Sequence, residues 1–437
     1  MEKSEACSAK SVDQKSDIEK RSIDELKRDV PPPDTGYAWL VFISGILVFV
    51  TSFGAYNYFG LFQAYYLNKM FVTSSATSIS WIGTISATLS LGLSVVYGPL
   101  VSTIGLRYTT FLGTASCVLG LFLASFSTEI WQLTLTQGVL FGFGCAIMAN
   151  AAIFTTTMWF EKKRGMALSV VISSGCIGAL ASTPLVSFCL TKLGIAWTFR
   201  ILTCITLVSM VLACVVYKPR VEVEVPKKVI RLETLKDPFI IYICLGSFLF
   251  QVGATVPMFY FPVSIGSVIP EGMSSDTVAQ NAVILYCVFS FLGRVSLVKV
   301  AEFIGLLTVL IASHLITAVA TMALWYGTNS YITYYVYYAI YGFFAGAIFV
   351  VAPVIFAKYY PLSRIAEVNG LQMSFLGLSY FVTTPILGLV FDHFGHRESY
   401  SQLIVICAVA FFFAGVCFVF LRNHVKKALD KSNRFFI

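Results

Sequence analysis

Apolar runs long enough to cross a bilayer recur along almost the whole chain, near residues 37–64, 78–102, 106–127, 130–158, 165–190, 195–217, 238–266, 277–300, 303–326, 330–357, 365–391 and 400–421. A spanning helix needs about 20 such residues, whereas a barrel strand needs only about 10. In hydrocarbon every backbone N–H and C=O must be satisfied within the segment, and helices do this. Composition agrees: 57% of the 437 residues are hydrophobic and 12% are charged, about half the charged share of a soluble domain. The expected fold is an all-α membrane protein with twelve transmembrane helices.

Lysine and arginine set the orientation, because cytoplasmic segments retain them. With the N-terminus inside, only Lys69, Lys192, Arg200 and Arg397 of the 30 basic residues fall on the far side. Both termini are therefore expected in the cytoplasm. The net charge of +8 is then a topology signal, and a nucleic-acid partner is not needed to explain it. Residues 1–36 are dense in charge and close on Pro31–Pro33; they read as a disordered cytoplasmic tail and not as a cleavable signal. Ten of the eleven cysteines sit in apolar runs without ligand spacing, so they read as small packing residues. No Ser-His-Asp set, HExxH, P-loop or paired carboxylates occur, which argues against an enzyme and an ATP-driven pump. No metal or cofactor is expected.

The two halves of the chain echo one another at offsets near 200. "QGVLFG" (137–142) parallels "YGFFAG" (341–346), and "WFEKKR" (159–164) parallels "YYPLSR" (359–364). Pro184 matches Pro385, and Gly105 matches Gly305. Four coincidences in one order indicate a duplicated six-helix unit: bundles at 37–217 and 238–421, a linker at 218–237 and a tail at 422–437. Two pseudo-symmetric six-helix bundles form the architecture in which a solute binds near the midplane and the halves rock about it.

With "GPLVSTIGLR" (98–107) as a degraded helix two–three loop motif, lacking its acid at Ser102, the chain resembles the major facilitator superfamily. Within it, "DTGYAWL" (34–40) and "WFEKKRGMALSVVISSGCIG" (159–178) resemble the two signatures of the monocarboxylate transporter family, in its fungal branch. Asp34, Gly36, Trp39 and Arg164 carry that match. The resemblance implies the major facilitator fold and alternating access for a small organic anion such as a monocarboxylate. Transport is expected to be either secondary active, with a co-transported proton, or facilitative, in the plasma membrane or alternatively in the vacuole or another internal membrane. Two family positions differ: the first-helix lysine is replaced by Tyr58, and the helix-eight acid four residues before Arg294 is Ser290.

Arg294 is the leading candidate site. A guanidinium inside a span costs several kcal/mol unless something answers it, and paired N–H donors suit a carboxylate. The competing role is snorkelling to the interface. Asn57 and Asn150 are polar groups that either bridge helices or line a cavity. Phe259, Tyr260 and Tyr341 lie deep enough to line a site for a flat ring. His314 reads first as a core histidine bonded to a carbonyl, with a proton relay as its functional alternative. The expected function is transport of a small organic anion. A larger aromatic solute such as riboflavin is the second reading, because Tyr58 and Ser290 remove two charges. A non-transporting nutrient sensor is the rival from another class.

Overall fold

The computed structural model describes residues 31–220, 232–268, 275–328, 330–395 and 399–432. These residues are helical almost throughout, with no strand among them. Eleven stretches are long and apolar enough to span a membrane, and one of them, Ser78–Ala124, runs for 47 residues. That stretch is two crossings. At Gly105 the backbone leaves the helix, with φ 82° and ψ 161°. The same left-handed φ recurs at Gly194 and Gly305, each directly ahead of a new helix. Only glycine adopts this region without strain, so it turns the chain at all three places.

Among the described residues twelve long helices result. We number them α1 (Gly36–Tyr65), α2 (78–104), α3 (106–124), α4 (Ile130–Trp159), α5 (Arg164–Lys192) and α6 (Ile195–Val216). The second set is α7 (Pro238–Ser264), α8 (Ser275–Ile304), α9 (Leu306–Tyr326), α10 (Tyr331–Tyr359), α11 (Leu362–His393) and α12 (Ser401–Ser432). The last helix continues past the expected end of its span at 421, because "RNHVKKALDK" holds no glycine or proline to stop it. Residues 1–30 of the expected tail lie outside the described residues.

The duplication is visible in the packing. In the first half α1 packs on α5 and α6, and α3 on α4 and α6; in the second, α7 packs on α11 and α12, and α9 on α10 and α12. The halves meet chiefly along two seams, α2 with α11 and α5 with α8, which are equivalent under the same six-helix shift. At the first seam Gly370 lies against the backbone of Ser94 and Val95. Gly377 lies against Gly92 and Thr88, and an added methyl there would fall 2.7 Å from the Thr88 carbonyl oxygen. Ser374 Oγ donates to the Gly92 carbonyl at 2.6 Å across this seam.

With twelve crossings the described chain starts and ends on one side, here called the terminal side. Two pieces of the linker are pinned there. Arg220 donates to the carbonyls of Pro31 (2.9 Å) and Met158 (3.0 Å), and pairs with Glu161 at 3.0 Å. Thr234, on a short helix (Leu232–Lys236), donates to the buried Glu367 at 2.7 Å and accepts from Arg364 at 2.8 Å.

If Gly105 and Gly305 turn the chain by virtue of their left-handed φ, Gly105→Ala and Gly305→Ala each cost about 1–3 kcal/mol. Gly388 has no positive φ, and an added methyl there would find nothing within 4 Å, so it accepts alanine without loss. Thermal unfolding of the detergent-solubilised variants checks this, and equal melting of all three would contradict it.

Candidate functional site

A cavity of about 1470 Å³ lies between the halves. Its lining begins at Phe49 on α1, Ile172 on α5, Phe250 on α7 and Met373 on α11, and extends to the far ends of those helices. On the helices that run the other way it stops at Ser94, Ile153, Arg294 and Phe349. The register places the cavity in the half of the bundle away from the terminal side. Its floor is the pair of seams, closed at the centre by a hydrogen bond from Asn369 Nδ2 to Asn150 Oδ1 (3.1 Å). Both asparagines are buried, and they belong to opposite halves.

Arg294 lies at this floor. Its guanidinium stacks over Phe349 at 5.2 Å, and both its Nε and its Cγ lie against Gly346, where an added methyl would collide with the Nε. Glycine at 346 thus makes room for the arginine. Among the described residues no carboxylate lies within ion-pairing distance of it, and its Nε is buried without a hydrogen-bond partner. A cation held in a low-dielectric site without a counter-ion is costly, and an entering anion relieves that cost.

Of the other residues singled out in the sequence, Tyr58, Asn150, Phe259, Tyr260 and Tyr341 line the same cavity. Tyr341 also donates to the Ala254 carbonyl at 3.1 Å and stacks with Tyr286 and Tyr338. Ser290, one turn from Arg294, is fully buried and outside the lining. His314 is likewise fully buried, with Nδ1 2.7 Å from the Leu310 carbonyl and its ring against Phe250 and Phe418. It does not border the cavity. The Asn57 side chain lies outside the described residues.

Several lining residues carried no sequence signal. Asp392, one residue from the end of α11, is the acid among the described lining residues; it lies one position past the span expected at 365–391. Tyr56, Gln251, Thr255 and Tyr380 also line the cavity. They are neutral groups in apolar runs, and only their partners in space distinguish them.

The two signatures form a separate site on the terminal side. The Asp34 carboxylate accepts from the backbone N–H groups of Glu161 (3.3 Å), Lys162 (3.0 Å) and Lys163 (3.2 Å), just ahead of α5. Asp34 has φ 59°, a left-handed conformation that aspartate tolerates better than most residues. Partial burial pushes its carboxyl up, but the backbone N–H groups and the Lys163 ammonium outweigh that and hold it below the ordinary value. Trp39 packs edge-on against Phe160 beneath the Lys163 ammonium, and Arg164 Nε donates to the Phe160 carbonyl at 2.8 Å. Gly36 begins α1. These residues fasten the start of α1 to the α4–α5 turn and touch no part of the cavity.

The sequence profile described as Major Facilitator Superfamily matches residues 42–268 and 243–435. A transporter from Aspergillus flavus, "MFS transporter asaE", is 29% identical over 402 residues, covering 90% of each chain. The "Agnestins efflux protein AgnL12" of Paecilomyces divaricatus is 27% identical, covering 87% of this chain and 88% of its own. Among solved structures, a proton:xylose symporter superposes with a TM-score of 0.68 at 14% identity, covering 87% of this chain and 94% of that one.

Because Asp34 is held below its usual value, its contribution to stability is complete above the unfolded-state value near 4. It is lost as the pH falls through the lower folded-state value. Asp34→Ala therefore lowers the melting temperature at pH 7, and the difference from the parent shrinks on acidification. A difference that does not change between pH 7 and pH 3 would show that the carboxylate charge is not what holds the α4–α5 turn.

Proposed function

The chain belongs to the major facilitator superfamily, and on that premise we propose that it exports a bulky, largely aromatic organic anion across the plasma membrane. Membership makes it a multi-pass membrane protein that carries a small molecule by alternating access, and not an enzyme. With both termini in the cytoplasm, the cavity described above faces outward and the seams close the cytoplasmic side. The unpaired Arg294 at the cavity floor is the observation that carries the anion reading.

The volume supports the larger of the two cargo readings. Drug-sized ligands occupy sites of about 300–1,000 Å³, so a cavity of about 1470 Å³ would leave a lactate-sized monocarboxylate surrounded by water. Tyr286, Tyr338 and Tyr341 stack in the wall above the arginine, a surface suited to a flat ring. Tyr58 supplies an aromatic edge where a monocarboxylate carrier would have a lysine. The name of the Paecilomyces relative, an efflux protein, supports the outward direction. In this reading the acid group rests on Arg294 and the apolar body extends along the aromatic walls. Loading from the cytoplasm then requires breaking the Asn150–Asn369 and Ser374–Gly92 bonds at the floor.

Efflux from preloaded cells lacking endogenous carriers tests this, with lactate, riboflavin and aromatic carboxylic acids of graded size as cargoes. The large aromatic acids leave fastest and lactate is not carried. Arg294→Lys keeps the charge but loses the planar fork, and weakens binding by about 1–3 kcal/mol. Arg294→Gln abolishes export of the acids at unchanged surface abundance. Lactate export at the rate of the large acids, or a parental rate in Arg294→Gln, would overturn the reading.

A further inference from the structure

The charges around the central cavity are divided unequally. Arg294 and Asp392, the two charged side chains among its described lining residues, both come from the second half. The outer wall of the first half is polar in a different way. Gln63 on α1, Gln137 on α4, and Thr183, Ser187 and Thr191 on α5 all line it. The three α5 residues recur at four-residue spacing and so share a face, and the outer part of α1 (Gly54–Tyr65) packs on α5. Gln137 precedes the floor residue Asn150 by more than three turns of α4, which puts it about 20 Å farther from the floor.

We propose that this wall is a second subsite of the cavity, for a neutral polyhydroxylated group such as a glycosyl unit, so that the exported acid is an aromatic glycoside. The inference rests on the aromatic-acid reading above and adds to it. The acid end lies on Arg294, the rings lie along Tyr286 and Tyr338, and the sugar lies against the first-half wall.

The available donors and acceptors favour such a group. Gln137 Oε1 accepts from Tyr66 Oη at 2.8 Å. That bond orients the amide and leaves its two Nε2–H donors, which have no partner among the described residues, to the cavity it borders. Gln63 is partly exposed, and Ser187 and Thr191 are exposed. Amides and hydroxyls each offer both donors and acceptors. A charged group would find no counter-charge on this wall, and an apolar group would leave the amides stranded. Neighbouring sugar hydroxyls match both kinds of partner, while the C–H face of the ring can rest on Phe59 or Phe188, which line the same cavity. Gln137 also lies in the middle of a π-helical stretch, Thr134–Leu140, and such distortions recur at functional sites.

The test is titration calorimetry on the purified full chain, with a hydroxynaphthoic acid, its O-glucoside and the neutral naphthyl glucoside as probes. The parent binds the glucosylated acid about tenfold more tightly than the free hydroxy acid, the effect of one or two neutral hydrogen bonds. Gln63→Leu and Ser187→Ala, each confirmed as folded by its gel-filtration profile, lose that preference and keep their affinity for the hydroxy acid. Gln137→Leu loses the preference as well. The neutral glucoside separates this subsite from the anion site: its binding weakens in Gln63→Leu and is unchanged in Arg294→Gln. Equal affinity of the parent for the two acids, or a glucoside preference that survives in all three wall variants, would overturn the sugar subsite. A parental affinity for the hydroxy acid in Arg294→Gln would count against the anion reading alone.

Discussion

Two six-helix halves, each with its own internal packing, are joined chiefly by the α2–α11 and α5–α8 seams, and the position of every other feature follows from those contacts. Small residues make the first seam close: Gly370 and Gly377 bring α11 onto the backbone of α2, and Ser374 adds a hydrogen bond across it. Because the close approach lies toward the terminal side, the halves diverge on the other side and leave a cavity. A seam held by a few neutral hydrogen bonds, each worth about 0.5–1.5 kcal/mol, can open without the cost of separating buried charges. The charged contacts lie elsewhere. Arg220 with Glu161 and Arg364 with Glu367 each fasten a piece of the linker to one half and need not break for the halves to rock.

Arg294 has the opposite character. It is placed with care, on Gly346 and over Phe349, yet among the described residues it has no acidic partner. An internal salt bridge there would satisfy the arginine permanently and remove its preference for an anion. Ser290, one turn earlier, supplies no charge to answer it.

The spans, the duplication and the turns at Gly105 and Gly305 were legible in the sequence, because hydrocarbon imposes a length on each helix and a positive φ imposes glycine. Arg294 was legible for the same reason: a charge in an apolar run requires an explanation. The pairing of Asp34 with the Lys162–Lys163 turn was not, since it depends on two segments more than a hundred residues apart. Asn150 could be named but not its partner Asn369. Asp392 falls one position beyond the span expected at 365–391, and His314, conspicuous in the sequence, proves to face Phe250 and Phe418 and not the cavity.

The decisive quantity is the coupling between the guanidinium of Arg294 and the acid group of the cargo. Binding of an aromatic acid and of its methyl ester to the purified parent and to Arg294→Gln, followed by titration calorimetry, completes a thermodynamic cycle. Neutralisation of Arg294 by the cargo predicts that the parent prefers the acid over the ester by about 1–3 kcal/mol, and that Arg294→Gln shows no such preference. An equal preference in both proteins would mean that the carboxylate is recognised elsewhere and that Arg294 is only an anchor.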